Sequence, residues 1–543
     1  MPDPTDRPAP DGAAPDDPAP DPAPAPRRAR TLAALAGVVA AAVGFAVAEL
    51  AAAVVAPGAS PLFAAGAGVV DVVPAPLKDW AIDTFGTADK AVLLASMGVV
   101  LAAGAALSGW LELRRPPAGT VLLAAVGAVG AVVAAARPGA DVAWALPSLV
   151  GVAVAVLLLR AQIRTLRPTG GPGRVDDRPA PARGTGGVDR RRFLLVSGLA
   201  VGGGVVALAA SRAVVAGTRV VTAARDALRL PAPAVPAPPV PPGADLEIPG
   251  LVPYVTPNDD FYRIDTALRV PQVDPDSWTL RVTGLVEEPF EITFDELLAL
   301  PLVEHHVTLT CVSNEVGGDL VGNARWLGYP VRELLTRAGV REGADMVLST
   351  SADGWTASTP LDVLTDPDRA CLLAVGMNGE PLPPAHGFPA RLVVPGLYGY
   401  VSATKWVTEL KVTTFADDVA YWSTRGWSER GPIKLASRID TPRAGAALDA
   451  GRVTVAGVAW AQHTGIAAVE VRVDDGPWEA ATLAETVGPD TWRQWSFAWD
   501  ATAGDHRLTV RATDADGTVQ TADVAPPVPD GASGRHDVEV SVR

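Results

Sequence analysis

Five apolar stretches, near residues 31–56, 90–111, 119–136, 143–160 and 193–210, constrain this chain more than any other feature, because each approaches the ~20 residues that cross the hydrocarbon core of a bilayer. They are built of Ala, Val, Leu and Gly with Arg clustered at their ends, whereas most of the Trp, most of the carboxylates and all six His lie after about residue 230. Two solvents are implied, lipid for the first part and water for the second. With 543 residues the chain also exceeds what one core can organise, so several folded units are expected.

The Arg clusters orient the spans, since cytoplasmic loops retain positive charge. Arg27, Arg28 and Arg30 precede the first span, Arg114 and Arg115 follow the second, and Arg160, Arg164, Arg167, Arg190, Arg191 and Arg192 lie between the fourth and fifth. All fall on one side. The prediction is a multi-pass protein of the cell membrane, with everything after residue 211 outside the cytoplasm. The segment Val69 to Gly86 is too broken by Asp and Pro to span, and is expected along the outer surface. The fifth span opens with DRRRFLLVSG, which reads either as a twin-arginine export segment at 190–195 or as plain positive-inside anchoring.

Five segments result. Residues 1–26, Pro, Ala and Asp in low-complexity order, are expected to be a disordered tail. Residues 27–211 form the transmembrane region. Residues 212–244 form a linker whose PAPAVPAPPVPPG run favours polyproline II and is expected to lift the soluble part off the membrane. Residues 245–415 alternate short β-like runs with helix-like pieces such as FDELLAL, an α+β pattern. Residues 416–543 alternate apolar and polar positions between DDG and DADG turns, as in an antiparallel immunoglobulin-like sandwich.

A net charge of −15 argues against a nucleic-acid partner, which needs clustered Lys and Arg to displace counterions. Only Cys311 and Cys371 are present, too few for a disulfide framework, a cysteine-ligated iron–sulfur cluster or four-thiolate zinc. Cys371 sits in the apolar run ACLLAVGMNG and reads as core. Cys311 ends an alternating strand and precedes turn-forming Ser, Asn and Gly. Three readings stay open for it: an inert buried thiol, a disulfide partner for Cys371, or a soft metal ligand.

The context of Cys311 is specific. TLTCVSNEVGG, then NARWLG at 323–328, then LLAVGMNGEPLPPAHGFPARLVVPGLYGYVSATKW at 372–406, together resemble the sulfite oxidase family of molybdopterin enzymes over about Tyr254 to Val542. The resemblance implies a molybdenum cofactor with one pterin per molybdenum, ligated by the thiolate of Cys311. It further implies that His386 and Arg391 of HGFPxR hold the pterin and its phosphate, that Lys405 and Ser402 complete the cradle, and that Arg325 of NARW lies near the cofactor. A guanidinium fork and a point ammonium suit such a ligand. It implies too a C-terminal domain used for dimerisation.

Two departures bear on substrate. Animal sulfite oxidases carry two Arg shortly after the metal-binding cysteine, as CxGNRR, where this chain has Glu315 and Val316. A carboxylate at 4 Å would oppose an anion by about 4 kcal/mol at an effective dielectric near 20. The family's active-site Tyr has Trp427 of YWSTRGW as its nearest counterpart, and Arg263 of NDDFYRID is the candidate substrate-side cation, with Asp260 nearby. No CxxCH motif and no His within an apolar span is present, so no haem is expected, and electrons are expected to pass through a separate carrier or membrane redox partner.

The chain is therefore read as multi-domain: an α-helical transmembrane region, an α+β sulfite oxidase-type molybdopterin domain, and a C-terminal all-β immunoglobulin-like sandwich. The expected activity is oxygen-atom transfer on a small sulfite-like or sulfoxide-like molecule, with membrane lipid, an electron partner and a second copy as further partners. The non-catalytic alternative, a membrane-tethered scaffold, is disfavoured by the intact Cys311, His386, Arg391 and Lys405.

Overall fold

The computed structural model describes residues 27–55, 59–73, 89–137, 140–167, 190–215, 218–267 and 270–543, with residues 77, 80, 84 and 85. The expected tail 1–26 and half of the 69–86 segment lie outside the described residues.

Five of the described helices are long and apolar enough to cross a membrane: Arg27–Val55, Ala91–Arg114, Ala118–Ala135, Val142–Leu166 and Arg191–Arg212. Ala and Leu favour helix, and the pair Pro116–Pro117 separates the second from the third by removing backbone donors. Small residues let the backbones approach. A methyl group at Gly37 would meet the carbonyl oxygen of Ala105, and one at Gly109 would meet that of Ala33. The Gln162 amide donates to Ser197 Oγ at 2.8 Å, a polar tie between two of these helices. Apolar side chains face outward on them, Leu199 at 76 % and Val99 at 70 % exposure, which suits lipid better than water. A shorter helix, Pro61–Val72, was not anticipated from the sequence; Ser60 caps it and Pro61 occupies its first turn.

The part after the linker contains one mixed and one antiparallel sheet followed by a sandwich. One five-stranded sheet runs Phe290–Thr293, Thr279–Gly284, Val407–Thr413, Met346–Ser351, Thr356–Pro360, with the second and third strands parallel. The other orders Val303–Thr310, Val321–Pro330, Leu372–Met377 and Glu380–Pro381, with Arg391–Val393 also paired to Leu372–Met377. Leu280, Leu297, Val331, Leu373 and Leu410, all fully buried, knit both into one core with the short helix Val331–Ala338. The C-terminal sandwich pairs Ala436–Thr441, Gly451–Trp460, Arg493–Ala501 and Thr482–Leu483 in one sheet. Its second sheet pairs Ala447–Leu448, Asp537–Val542, Gly504–Asp514, Ile466–Val473 and Trp478–Ala480. Period-two burial of Val469 and Val471, Val510 and Ala512, Val538 and Val540 fills the space between them.

The Pro-rich linker does not run free at Ala234 and Val235, contrary to the expected spacer. Ala234 N donates to Leu302 O and Glu304 N to Val235 O, so it lies along the edge of the Val303–Thr310 strand. An extended backbone is what an unpaired strand edge accepts, and Leu228 and Leu230 add apolar contact to the core.

Candidate active site

The strand Val303–Thr310 and its antiparallel partner Val321–Pro330 are joined by a loop, and Cys311 is that loop's first residue. Cys311 N donates to Leu320 O and its carbonyl accepts from Asn314 N, so the chain turns sharply beyond the thiol. The thiol is 8 % exposed. Burial raises its pKa above the ordinary thiol value, opposed by hydrogen bonding with Ser313 and by the charge of Lys405. Cys371 lies apart in the core, its Sγ directed at Val363 O and its pKa pushed up to about 12 by burial. The two thiols are unbridged, which removes the disulfide reading.

Cys311 lines an open cleft whose empty space, solvent at its mouth included, is about 940 Å³. His386, Arg391, Lys405 and Trp427 line the same cleft. His386 closes the short turn Pro384–His386, and Gly387 follows at φ 113°, where a side chain would collide with Arg391 and Lys405. The His386 ring pairs through Nε2 with Asn258 O at 3.1 Å, and burial together with Arg391 holds its pKa down to about 4, so it is a neutral ring. Arg391 is 5 % exposed and donates to three carbonyls, those of Leu392, His386 and Ala403, while stacking over Trp326. Burial brings its pKa down to about 10. Lys405 Nζ donates to Asp265 Oδ2 at 2.7 Å and Ala385 O at 3.2 Å; burial lowers its pKa to about 8 against the pull of Asp265.

Four expected residues stand elsewhere. Ser402 is fully buried in the short helix Gly399–Ser402, and its hydroxyl donates to Leu397 O and Tyr398 O rather than lining the cleft. Arg325 extends beside Glu304 at 3.5 Å and is not a lining residue. Arg263 is 40 % exposed and reaches the site only through Asp265, to which its Nε donates at 2.9 Å. Glu315, expected to face a substrate anion, lines a separate small pocket beside Val316 and Gly317. The turn fixed by Gly318 N donating to Glu315 O and by Asn314 Oδ1 accepting from Leu320 N carries it away from Cys311.

Residues that the sequence did not single out complete the lining: Asp265, Tyr262, Asp353, Trp355, Tyr400 and Trp422. Tyr262 stacks on Phe261 at 5.2 Å, and its pKa is raised by burial and then by Cys311. The run FYRID held the signal, since it places Tyr262 and Asp265 on either side of the singled-out Arg263.

These residues fit a pterin-bound metal. Among the described residues Cys311 is the one soft donor lining the cleft, and no set of three or more His, Cys, Asp or Glu is arranged to hold a metal ion. A metal there would take its other ligands from a cofactor. Among the described residues Arg391 has no carboxylate partner, and burying such a guanidinium is costly unless an anion joins it.

Fold and site thus define an oxidoreductase domain for a pterin cofactor followed by an immunoglobulin-like domain. The profile of the oxidoreductase molybdopterin binding domain matches residues 267–422, and that of the bacterial Ig domain matches 436–510. An uncharacterised oxidoreductase, YuiH of Bacillus subtilis, is 36 % identical over 158 residues, covering 29 % of this chain and 76 % of that protein. Human mitochondrial sulfite oxidase is 32 % identical over 323 residues, covering 50 % of this chain and 58 % of that protein. The sulfane dehydrogenase SoxCD of Paracoccus pantotrophus aligns with a TM-score of 0.44 at 26 % identity, over 50 % of this chain and 75 % of that one. The chain belongs to the sulfite oxidase-type family of molybdopterin-dependent oxidoreductases.

Proposed function

We propose that this chain is a membrane-anchored molybdenum-cofactor oxidoreductase that carries out oxygen-atom transfer on a small sulfite-like or sulfoxide-like substrate outside the cytoplasm. The observation that carries the reading is the convergence on one cleft of a soft thiol, Cys311, with the buried cations Arg391 and Lys405 and the neutral ring of His386. Cys311 would ligate the metal. His386, Arg391 and Lys405 would hold the pterin and its phosphate, and Arg325 and Ser402 would support them from behind: Ser402 fixes the Leu397 and Tyr398 carbonyls, and Arg325 donates its backbone N–H to Asn378, whose amide bonds the Asn258 segment that meets His386. When bound, the cofactor supplies two-electron exchange at molybdenum between the +6 and +4 states.

The protein's own part is orientation and field. His386 as a neutral ring presents a donor or an acceptor without adding charge, while Arg391 and Lys405 neutralise anionic ligand atoms in a desolvated wall. Trp427, in the cleft lining, would face the substrate, and Arg263 would act on it only through Asp265. Electrons would leave or enter singly through a separate carrier, and the C-terminal sandwich would provide the contact for a homodimer.

The test is metal and pterin content of the full-length chain purified from a host able to make the cofactor. About one molybdenum per chain is expected, lost in Cys311→Ala and reduced in Arg391→Met. A wild-type protein free of metal and pterin overturns the reading. Sulfite oxidation and sulfoxide reduction with artificial electron carriers then separate the two directions.

A further inference from the structure

Two unlike groups line the cleft. His386, Arg391 and Lys405 form one, with Arg391 donating to backbone carbonyls and Lys405 to Asp265. Opposing them in composition is a second group, Trp355, Tyr400, Trp422 and Trp427, with Asp353 among them. We propose that this aromatic group with Asp353 binds a positively charged organic moiety of the substrate, a quaternary ammonium, sulfonium or protonated amine, and selects such molecules over oxyanions. The proposal rests on the reading of the cleft as the oxygen-transfer site and names the substrate class for it.

Charge is the first argument. Of the two aspartates lining the cleft, Asp265 is shared between Lys405 and Arg263. Asp353 has no cation within ion-pair distance among the described residues; its Oδ1 accepts from Trp355 N at 3.2 Å. An uncompensated carboxylate in a half-enclosed site repels sulfite and attracts a cation. The rings supply the second argument. Trp326 and Trp406 already carry Arg391 and Lys405 over their faces at 5.1 and 4.7 Å. Among the described residues no ammonium or guanidinium lies over Trp355, Tyr400, Trp422 or Trp427, although an aromatic face attracts cations by its quadrupole. Trp427 stands 5.8 Å from Tyr400, tilted by 50°, and 6.1 Å from Trp422, edge to face, so these rings do not stack on one another.

The third argument is rigidity, which keeps the cost of binding low. The turn bearing Asp353 and Trp355 is closed by Ser351 N to Trp355 O and Gly354 N to Ser351 O, and Ala352 N ties it to Trp406 O. The segment bearing Trp422 and Trp427 is stitched to the neighbouring strand by Tyr421 N to Thr356 Oγ1 and by Ser358 Oγ to Glu429 O. Tyr400 is fixed by its hydroxyl donating to Ser428 O at 2.7 Å.

The experiment titrates the full-length chain with tetramethylammonium, the uncharged tert-butanol of similar shape, and sulfate, following calorimetric heat and tryptophan fluorescence, with molybdenum content measured on the same preparations. Tetramethylammonium is expected to bind at least about tenfold more tightly than tert-butanol. Asp353→Asn keeps an oxygen to accept the Trp355 N–H, so the turn persists, and should cut the cation's affinity about tenfold while leaving tert-butanol unchanged. Trp427→Leu should weaken the cation as well, without changing the sign of the preference. Equal or tighter binding of sulfate, or no response to Asp353→Asn, overturns the proposal. Because metal content is read separately, a metal-loaded protein that ignores tetramethylammonium sinks only the cation site, whereas a metal-free protein that binds it sinks only the oxygen-transfer reading.

Discussion

Asp265 accepts Lys405 Nζ at 2.7 Å and Arg263 Nε at 2.9 Å on the same oxygen, and its side chain is only 5 % exposed. Removing that carboxylate leaves an ammonium in a desolvated wall, a loss that exceeds what the pair contributes when intact. Asp265→Asn should therefore destabilise the cofactor-free chain by about 3 kcal/mol, and Lys405→Met by a similar amount, read from denaturant unfolding. The double variant should cost far less than the sum, because each single change strands the other's charge. Additive losses would mean that the two groups share no energy. Cys311, His386, Arg391 and Lys405 were legible in the sequence because they sit in contiguous, ordered motifs. Asp265 was not, since its function depends on a lysine 140 residues away, and nothing in the run RID signals that contact. Asp353 and Trp355 were hidden for the same reason: a tight turn reads as a connection until the fold shows what it faces.

At the scale of elements, the strand that ends at Cys311 is held from its far side by the immunoglobulin-like domain. Thr308 N donates to Asp490 O, Gln462 Nε2 donates to Thr308 O and Thr310 Oγ1, and Trp492 N donates to Thr308 Oγ1. A methyl group on Gly317, in the loop after Cys311, would collide with the imidazole of His536. Sequence alternation disclosed both the strand and the sandwich, but not that loops of one cover the edge of the other, because alternation reports faces and not edges. The same limit misplaced Glu315, whose orientation is set by the turn rather than by its distance from Cys311. One consequence is measurable. His306 lies directly across from Arg325 in the strand pair, and burial, then Arg325, holds its pKa down to about 4, below the usual 6.5. His536 is lowered too, by burial first and Arg438 second. Both stay neutral in the folded chain while the unfolded chain takes up protons below about pH 6.5. Their contribution to stability is thus complete above 6.5 and falls away as the pH drops below it, for His306 toward 4. After allowance for partial solvation, the loss for His306 is on the order of 1 kcal/mol. The unfolding midpoint should fall between pH 7 and 5, and His306→Gln should flatten that slope; an unchanged slope would assign the pH dependence to other groups.

For the whole molecule, the decisive contrast is between helices that leave Leu199 and Val99 largely exposed and a soluble part whose core is closed by its own sheets. Exposed apolar area of that kind costs roughly 25 cal/mol per Å² in water, and the helices are long and apolar enough to cross a membrane. The five apolar stretches and their approximate ends were legible because hydropathy is a local property; the docking of the linker on the Val303–Thr310 edge was not, because pairing requires a partner that the linker sequence does not contain. The proposed topology makes a prediction that separates the two readings of the Arg cluster. Protease added to intact spheroplasts should cut the part after residue 211 while carbonate washing leaves the helices in the membrane. Replacing Arg190 and Arg191 together by Lys keeps the positive charge but removes the paired guanidinium groups. If the cluster acts as a twin-arginine signal, the soluble part of that variant should become protected inside, because a domain folded around its cofactor needs that export route. If the Arg only anchor the span, cleavage should be unaffected, and protection of the wild-type domain would reverse the assigned orientation altogether.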